Sequence, residues 1–163
     1  MQPFFHPLQR LLNLYQAEDG HSSFDGDPTH PEKALHPQSY PILSRHRVCQ
    51  VRCGASHVLA LTTDGLVFTW GCGERSELGR LDKHPQTSLT PEPLGLKRIA
   101  LIGAGSHQSF AVDGDGVVYA WGQNHMHQLG LSREDSSIML PTAIGVLHPR
   151  HHDGARVVSI ACG

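Results

Sequence analysis

Two polar clusters, Ser56-His57 and Ser106-His107-Gln108, set hydroxyl and imidazole side chains side by side in this 163-residue chain. A hydroxyl beside an imidazole suggests nucleophilic catalysis. Adjacency in sequence does not make a nucleophile–base pair, however, because the base must itself be held by a third group in the fold. The glycine tracts Gly54-Ala55-Ser56 and Gly103-Ala104-Gly105 could be mistaken for phosphate cradles, but neither leads into a helix opened by Lys-Ser/Thr, so no direct nucleotide site is expected. Thirteen histidines raise the question of a metal. They are scattered, and the adjacent pair His151-His152 has no Cys or carboxylate at ligand spacing, so neither metal nor cofactor is expected. The polar clusters therefore read as recognition or structural elements, and the chain as a regulator or binder rather than a chemical catalyst.

Composition narrows the partners. Thirteen Lys/Arg against 15 Asp/Glu leave a net charge of −2, so no global basic field holds nucleic acid or an anionic membrane. Four cysteines (Cys49, Cys53, Cys72, Cys162) show no C-x-x-C pair and fit reduced thiols in an intracellular protein. No apolar run is long enough for a membrane helix, and Met1 to Pro7 lacks the basic and apolar regions of a signal peptide.

What positions the clusters is a repeat. The series Asp64-Gly65, Trp70-Gly71, Leu78-Gly79 returns 51 residues later as Asp115-Gly116, Trp121-Gly122, Leu129-Gly130. Aligned without gaps, Gly54 to Gly79 and Gly105 to Gly130 are identical at nine of 26 positions. Gly54, Gly105 and the Gly, Asp, Trp and Leu positions just named are the structural skeleton of each unit. Ile160-Ala161-Cys162-Gly163 aligns with the opening strand of both units, which predicts a third unit beginning at residue 157. The expected organisation is a low-order arm over 1–44 with a short helix near Leu8 to Tyr15, followed by repeats over 48–98 and 99–156.

Within each unit the pattern is β. His57 to Thr62 and Leu66 to Trp70 flank Asp64-Gly65, a hairpin signal for a tight primed turn with positive φ at both central positions. Pro91-Glu92-Pro93-Leu94 and Pro141-Thr142-Ala143-Ile144 suit an outer edge strand, where a missing N–H costs least. Three or four short strands per unit amount to one propeller blade, with Gly/Ala/Cys-rich inner strands near the axis and Trp70 and Trp121 as wedges between blades. The fold class expected is all-β, a partial β-propeller.

On these residues, from Cys53-Gly54-Ala55-Ser56-His57 through Asp64-Gly65 to Trp70-Gly71, the chain resembles the regulator of chromosome condensation repeat family. The resemblance covers Val48 to Gly163. It implies a seven-bladed ring, of which two blades and the first strand of a third stand here. The loop Gly71 to Arg80 and the segments Asn124 to Gly130 and Thr90 to Leu96 are most similar to the middle blades of fungal exchange factors within the family. Their activity, GDP release and GTP loading on the small GTPase Ran, would be the implied function. The implied partners are Ran and, in a full-length protein, histones or chromatin, in the nucleus or cytoplasm. Ser56, His57, Ser106, His107 and Gln108 would lie in GTPase-facing loops, with His57 open to a second reading as the hydrogen-bonded support of its turn. Exchange factors of this kind carry an Asp before the repeat His; here Ser56 stands there. The alternative function is an interaction scaffold of the same fold without exchange activity.

Overall fold

The computed structural model describes residues 40–81 and 87–162. The expected helix near Leu8 to Tyr15 lies outside them. Among the described residues eight strands form in two groups that repeat the sequence period: β1 Val48–Cys53, β2 His57–Thr62, β3 Val67–Cys72 and β4 Thr87–Pro93, then β5 Ile99–Ala104, β6 Gln108–Asp113, β7 Val118–Gln123 and β8 Ser137–Ala143. Each group is a four-stranded antiparallel meander in chain order, β1-β2-β3-β4 and β5-β6-β7-β8. The repeat extends to irregularities. Registers shift between Val48 and Gln50 and between Ile99 and Leu101, and again around Trp70 and Trp121, at matching positions of the two units.

The hairpins form where Asp-Gly predicts them, with a different turn. Gly65 N–H donates to Thr62 C=O at 3.0 Å, and only the glycine has positive φ, +79°. The second unit repeats this with Gly116, whose N–H reaches Asp113 C=O at 3.0 Å and whose φ is +89°. A turn followed by one left-handed glycine replaces the two-residue primed turn, so Asp64 and Asp115 need no positive φ. The prolines fall on β4 and β8, each the last strand of its sheet.

Strand β2 shows why two sheets make one molecule. All six of its residues are buried, because both of its faces are covered. Val58 and Ala60 pack with Tyr40, Leu43, Phe68 and Trp70 on one side. Leu59 and Leu61, one residue out of phase, pack with Ile99, Ile102, Ala111 and Trp121 of the second sheet on the other. Trp121 is thus a wedge between the sheets. The end of the arm is not loose: the Tyr40 ring packs tilted at 59° against Trp70 with ring centroids 5.5 Å apart, and Leu43, at the start of a single helical turn Leu43–Arg45, is wholly buried. Beyond the second sheet, residues 155–162 adopt no strand, and Ile160 lies over Gly103 of β5.

Candidate functional site

The strands bring the β1–β2 and β5–β6 loops to one rim and tie them together. Ala55 N–H donates to Ser106 C=O at 3.0 Å. Ser56 C=O accepts from Cys72 N–H at 2.7 Å, and His107 C=O accepts from Gln123 N–H at 2.9 Å, so each loop is also fastened to the end of the third strand of its own sheet. Arg75 reaches across to the Gln123 amide oxygen at 3.1 Å. Ser56, Ser106, Glu74, Arg75, His125 and His127 are exposed along this rim. A surface of hydroxyls, imidazoles and mixed charge on a fixed backbone can recognise a polar partner.

The candidate residues divide. Ser56 and Ser106 face solvent, and His107 and Gln108 are half-buried. His57 is completely buried, so its ring offers no surface to a partner. Its Nε2 lies 2.8 Å from Ser109 Oγ, and Ser109 Oγ donates its proton to Glu77 C=O at 2.9 Å. With the serine proton used there, His57 Nε2 carries the hydrogen and donates, while Nδ1 makes no well-formed hydrogen bond. Burial, with the neighbouring His107 adding to it and the Gln108 backbone opposing, lowers the His57 pKa from 6.5 to about 4. The ring is neutral at physiological pH.

Glu77, whose loop reads from the sequence as a solvated or partner-facing charge, and Ser109, which no motif marks, are the centre of this junction. Glu77 is 1 % exposed. Its carbonyl accepts both Ser109 Oγ and Trp121 Nε1, the latter at 2.8 Å, so the backbone of the first sheet's loop holds two side chains of the second. Its carboxylate accepts Arg75 N–H at 2.8 Å and lies 3.1 Å from His107 Nδ1. The matching residue of the second unit, Gln128, makes the first of these bonds, accepting Met126 N–H at 2.8 Å. The available sequence signal was the offset of 51 itself, which puts a carboxylate in unit one where unit two has an amide.

Two glycines make the close approach possible. A Cβ on Gly54 would meet the His57 ring and come within 2.6 Å of Gly105 O. Gly54→Ala should therefore cost about 1–3 kcal/mol by overpacking, read as a lower midpoint in urea unfolding. An unchanged midpoint would mean the two loops are not in contact. Gly79, at φ +69°, leaves the space that the Trp121 indole fills, its Nε1 2.6 Å from where a Cβ would stand.

Two meander sheets of one sequence period, wedged by a tryptophan and tied by loops on one rim, define a partial β-propeller of repeated blades. The regulator of chromosome condensation (RCC1) repeat matches residues 64–112 and 115–163, and a second form of the same repeat matches 48–77. The chain belongs to this family. It is 44 % identical over 122 residues to protein pim1 of Schizosaccharomyces pombe, an alignment covering 71 % of this chain and 22 % of pim1. It is 33 % identical over 100 residues to guanine nucleotide exchange factor SRM1 of Saccharomyces cerevisiae, covering 60 % of this chain and 21 % of SRM1. It is also 36 % identical over 128 residues to human E3 ubiquitin-protein ligase HERC2, covering 78 % of this chain and 2 % of that protein. Among solved structures, Prp20p from Saccharomyces cerevisiae, described with its binding properties to Gsp1p and histones, superposes with a TM-score of 0.61 at 30 % identity. That superposition covers 67 % of this chain and 26 % of Prp20p. The chain thus spans about a fifth of the length of pim1 and SRM1. Among the described residues no helix is long and apolar enough to cross a membrane.

Proposed function

We propose that this chain contributes two blades to a guanine-nucleotide exchange factor for the small GTPase Ran, presenting the Ser56–Ser106–His107 rim to the GTPase. The observation that carries this reading is the identity shared with exchange factor SRM1, supported by the likeness to Prp20p, whose partners include Gsp1p and histones. No covalent step is required. A surface that binds the nucleotide-free GTPase more tightly than the loaded one speeds GDP release, and GTP loading then weakens the surface in return. The rim suits that task because its loops are fixed to one another and to the strand ends, so little ordering is lost on docking. Histones are proposed as a second partner, and the nucleus as the place where both are met.

The test is binding of this chain to Ran with and without nucleotide, together with the rate of GDP release. Tighter binding to nucleotide-free Ran is expected. Ser56→Arg with Ser106→Arg, both at exposed positions, should weaken it about tenfold, ~1.4 kcal/mol. The similarity to HERC2 favours a second reading, a repeat scaffold without exchange activity. Binding indifferent to the nucleotide, with GDP release unchanged, would select it and remove the first.

A further inference from the structure

The two carboxylate oxygens of Glu77 face different groups. Oε2 accepts the Arg75 N–H at 2.8 Å, and Oε1 lies 3.1 Å from His107 Nδ1. The Glu77 side chain is 1 % exposed and that of His107 28 %, so the pair runs from the junction's interior out to the rim. A carboxylate only accepts, and a carboxylic acid is a stronger acid than an imidazolium, so the proton between the two groups sits on nitrogen. His107 Nδ1 therefore donates. In the neutral ring this leaves Nε2 without a hydrogen, because the bond made by one ring nitrogen decides the state of the other. Among the described residues nothing donates to Nε2. The rim thus carries a lone pair whose direction is set from behind by a buried carboxylate.

The second unit shows what the carboxylate adds. Gln128 stands 51 residues after Glu77, and its amide oxygen accepts the Met126 N–H at 2.8 Å, the counterpart of the Arg75 bond. The turn therefore needs one acceptor, which an amide supplies. The other oxygen of Glu77 is surplus to the turn, and it is the one that faces His107. Burying a charge where a neutral amide suffices costs free energy unless the charge has a partner to act on. Orienting one imidazole is such an action. His57 marks the contrast: its Nε2 donates to Ser109 Oγ, the opposite assignment, and its ring is wholly buried. Of these two neighbouring rings, only His107 is both fixed and open to the rim.

We propose that Glu77 is a positioning residue that fixes His107 as a hydrogen-bond acceptor, so that at this point the rim reads a donor on its partner, a hydroxyl, amide or ammonium group. The partner's identity as Ran rests on the exchange-factor reading; the assignment of the ring does not. Glu77→Gln inverts it. The new side chain has one oxygen, which goes to Arg75 N–H as that of Gln128 goes to Met126 N–H, so its amide N–H turns to His107. Nδ1 must then accept, and the hydrogen moves to Nε2. Nitrogen-15 NMR of the full chain, at a pH where the histidine signals have stopped moving, should show a pyrrole-like Nδ1 and a pyridine-like Nε2 for His107, and the reverse in Glu77→Gln. His107→Asn is the second variant, since its amide N–H can still donate to Glu77 while the Nε2 acceptor is gone. Both variants should keep cooperative urea unfolding and bind nucleotide-free Ran about tenfold more weakly, the worth of one hydrogen bond. The opposite ring pattern in the wild type, a pattern unchanged by Glu77→Gln, or full affinity in both variants would overturn the inference and leave the exchange-factor reading standing. Failure of the wild-type chain to bind Ran would overturn both.

Discussion

Acidification from neutral pH to pH 4 should remove about 3 kcal/mol of stability through His57 alone, and His57→Gln should abolish that share. The buried ring has a pKa of about 4 in the fold against 6.5 when free. As pH falls through 6.5 the unfolded chain takes up its proton first. Protons therefore favour unfolding across the window from 6.5 down to about 4, and the full stability is present only above it. Each pKa unit is worth about 1.4 kcal/mol, which sets the magnitude. The structural cause is specific. Nε2 already donates to Ser109, Nδ1 makes no well-formed hydrogen bond, and His107 stands nearby, so a second proton on His57 would be buried with only the Gln108 backbone to favour it. The second unit shows that a glutamine fits: Gln108 occupies the matching place, its amide oxygen against Gly105. Urea unfolding of both proteins at several pH values separates this effect from the carboxylates they share. Parallel stability curves for wild type and His57→Gln would show that His57 titrates normally and that the junction is wet.

That result would concern a part of the site that short-range sequence reasoning could not supply. Asp64-Gly65 announces a hairpin because turn chemistry is local, and Pro91 and Pro141 place an edge strand because a missing N–H is intolerable elsewhere. Trp70 and Trp121 read as wedges from size and strand position. The junction's polar centre is different. Glu77 owes its burial to His107, Ser109 and Trp121, which are 30, 32 and 44 residues away, and His57 owes its role to Ser109, 52 residues away. No local window contains both partners. The same holds for the arm, where Pro-rich, polar surroundings hide Tyr40 and Leu43. Only the fold of the first sheet creates the apolar face they cover. The primed turn fails for a smaller reason. One extra residue lets a single left-handed glycine do what the two-residue loop asks of two positions, and Asp-Gly is compatible with both.

Trp121→Ala should be the most damaging single change in the described chain, costing about 3–5 kcal/mol. The indole fills the space between Leu59, Val67 and Leu94 of one sheet and Ile99 and Ile102 of the other, and it is fully buried. Against a typical domain stability of about 5–15 kcal/mol, that loss is enough to uncouple the two sheets. The paired substitution to phenylalanine separates packing from hydrogen bonding. Trp121 and Trp70 are equally buried at matching positions, so Trp121→Phe and Trp70→Phe delete similar apolar volume. Trp121 gives up the bond its indole N–H makes to Glu77 C=O, whereas Trp70 Nε1 makes no well-formed hydrogen bond and only approaches the Tyr40 hydroxyl, an approach that lowers the Tyr40 pKa against the larger effect of burial. Trp121→Phe should therefore be worse than Trp70→Phe by about 1 kcal/mol, the net worth of one such bond. Tyr40 sharpens the comparison, because burial raises its pKa to about 12, so its ring stays neutral over Trp70 throughout the accessible pH range. If calorimetry or urea unfolding finds the two phenylalanine variants equally destabilised, the indole-to-carbonyl bond contributes nothing. The sheets would then be held by packing alone.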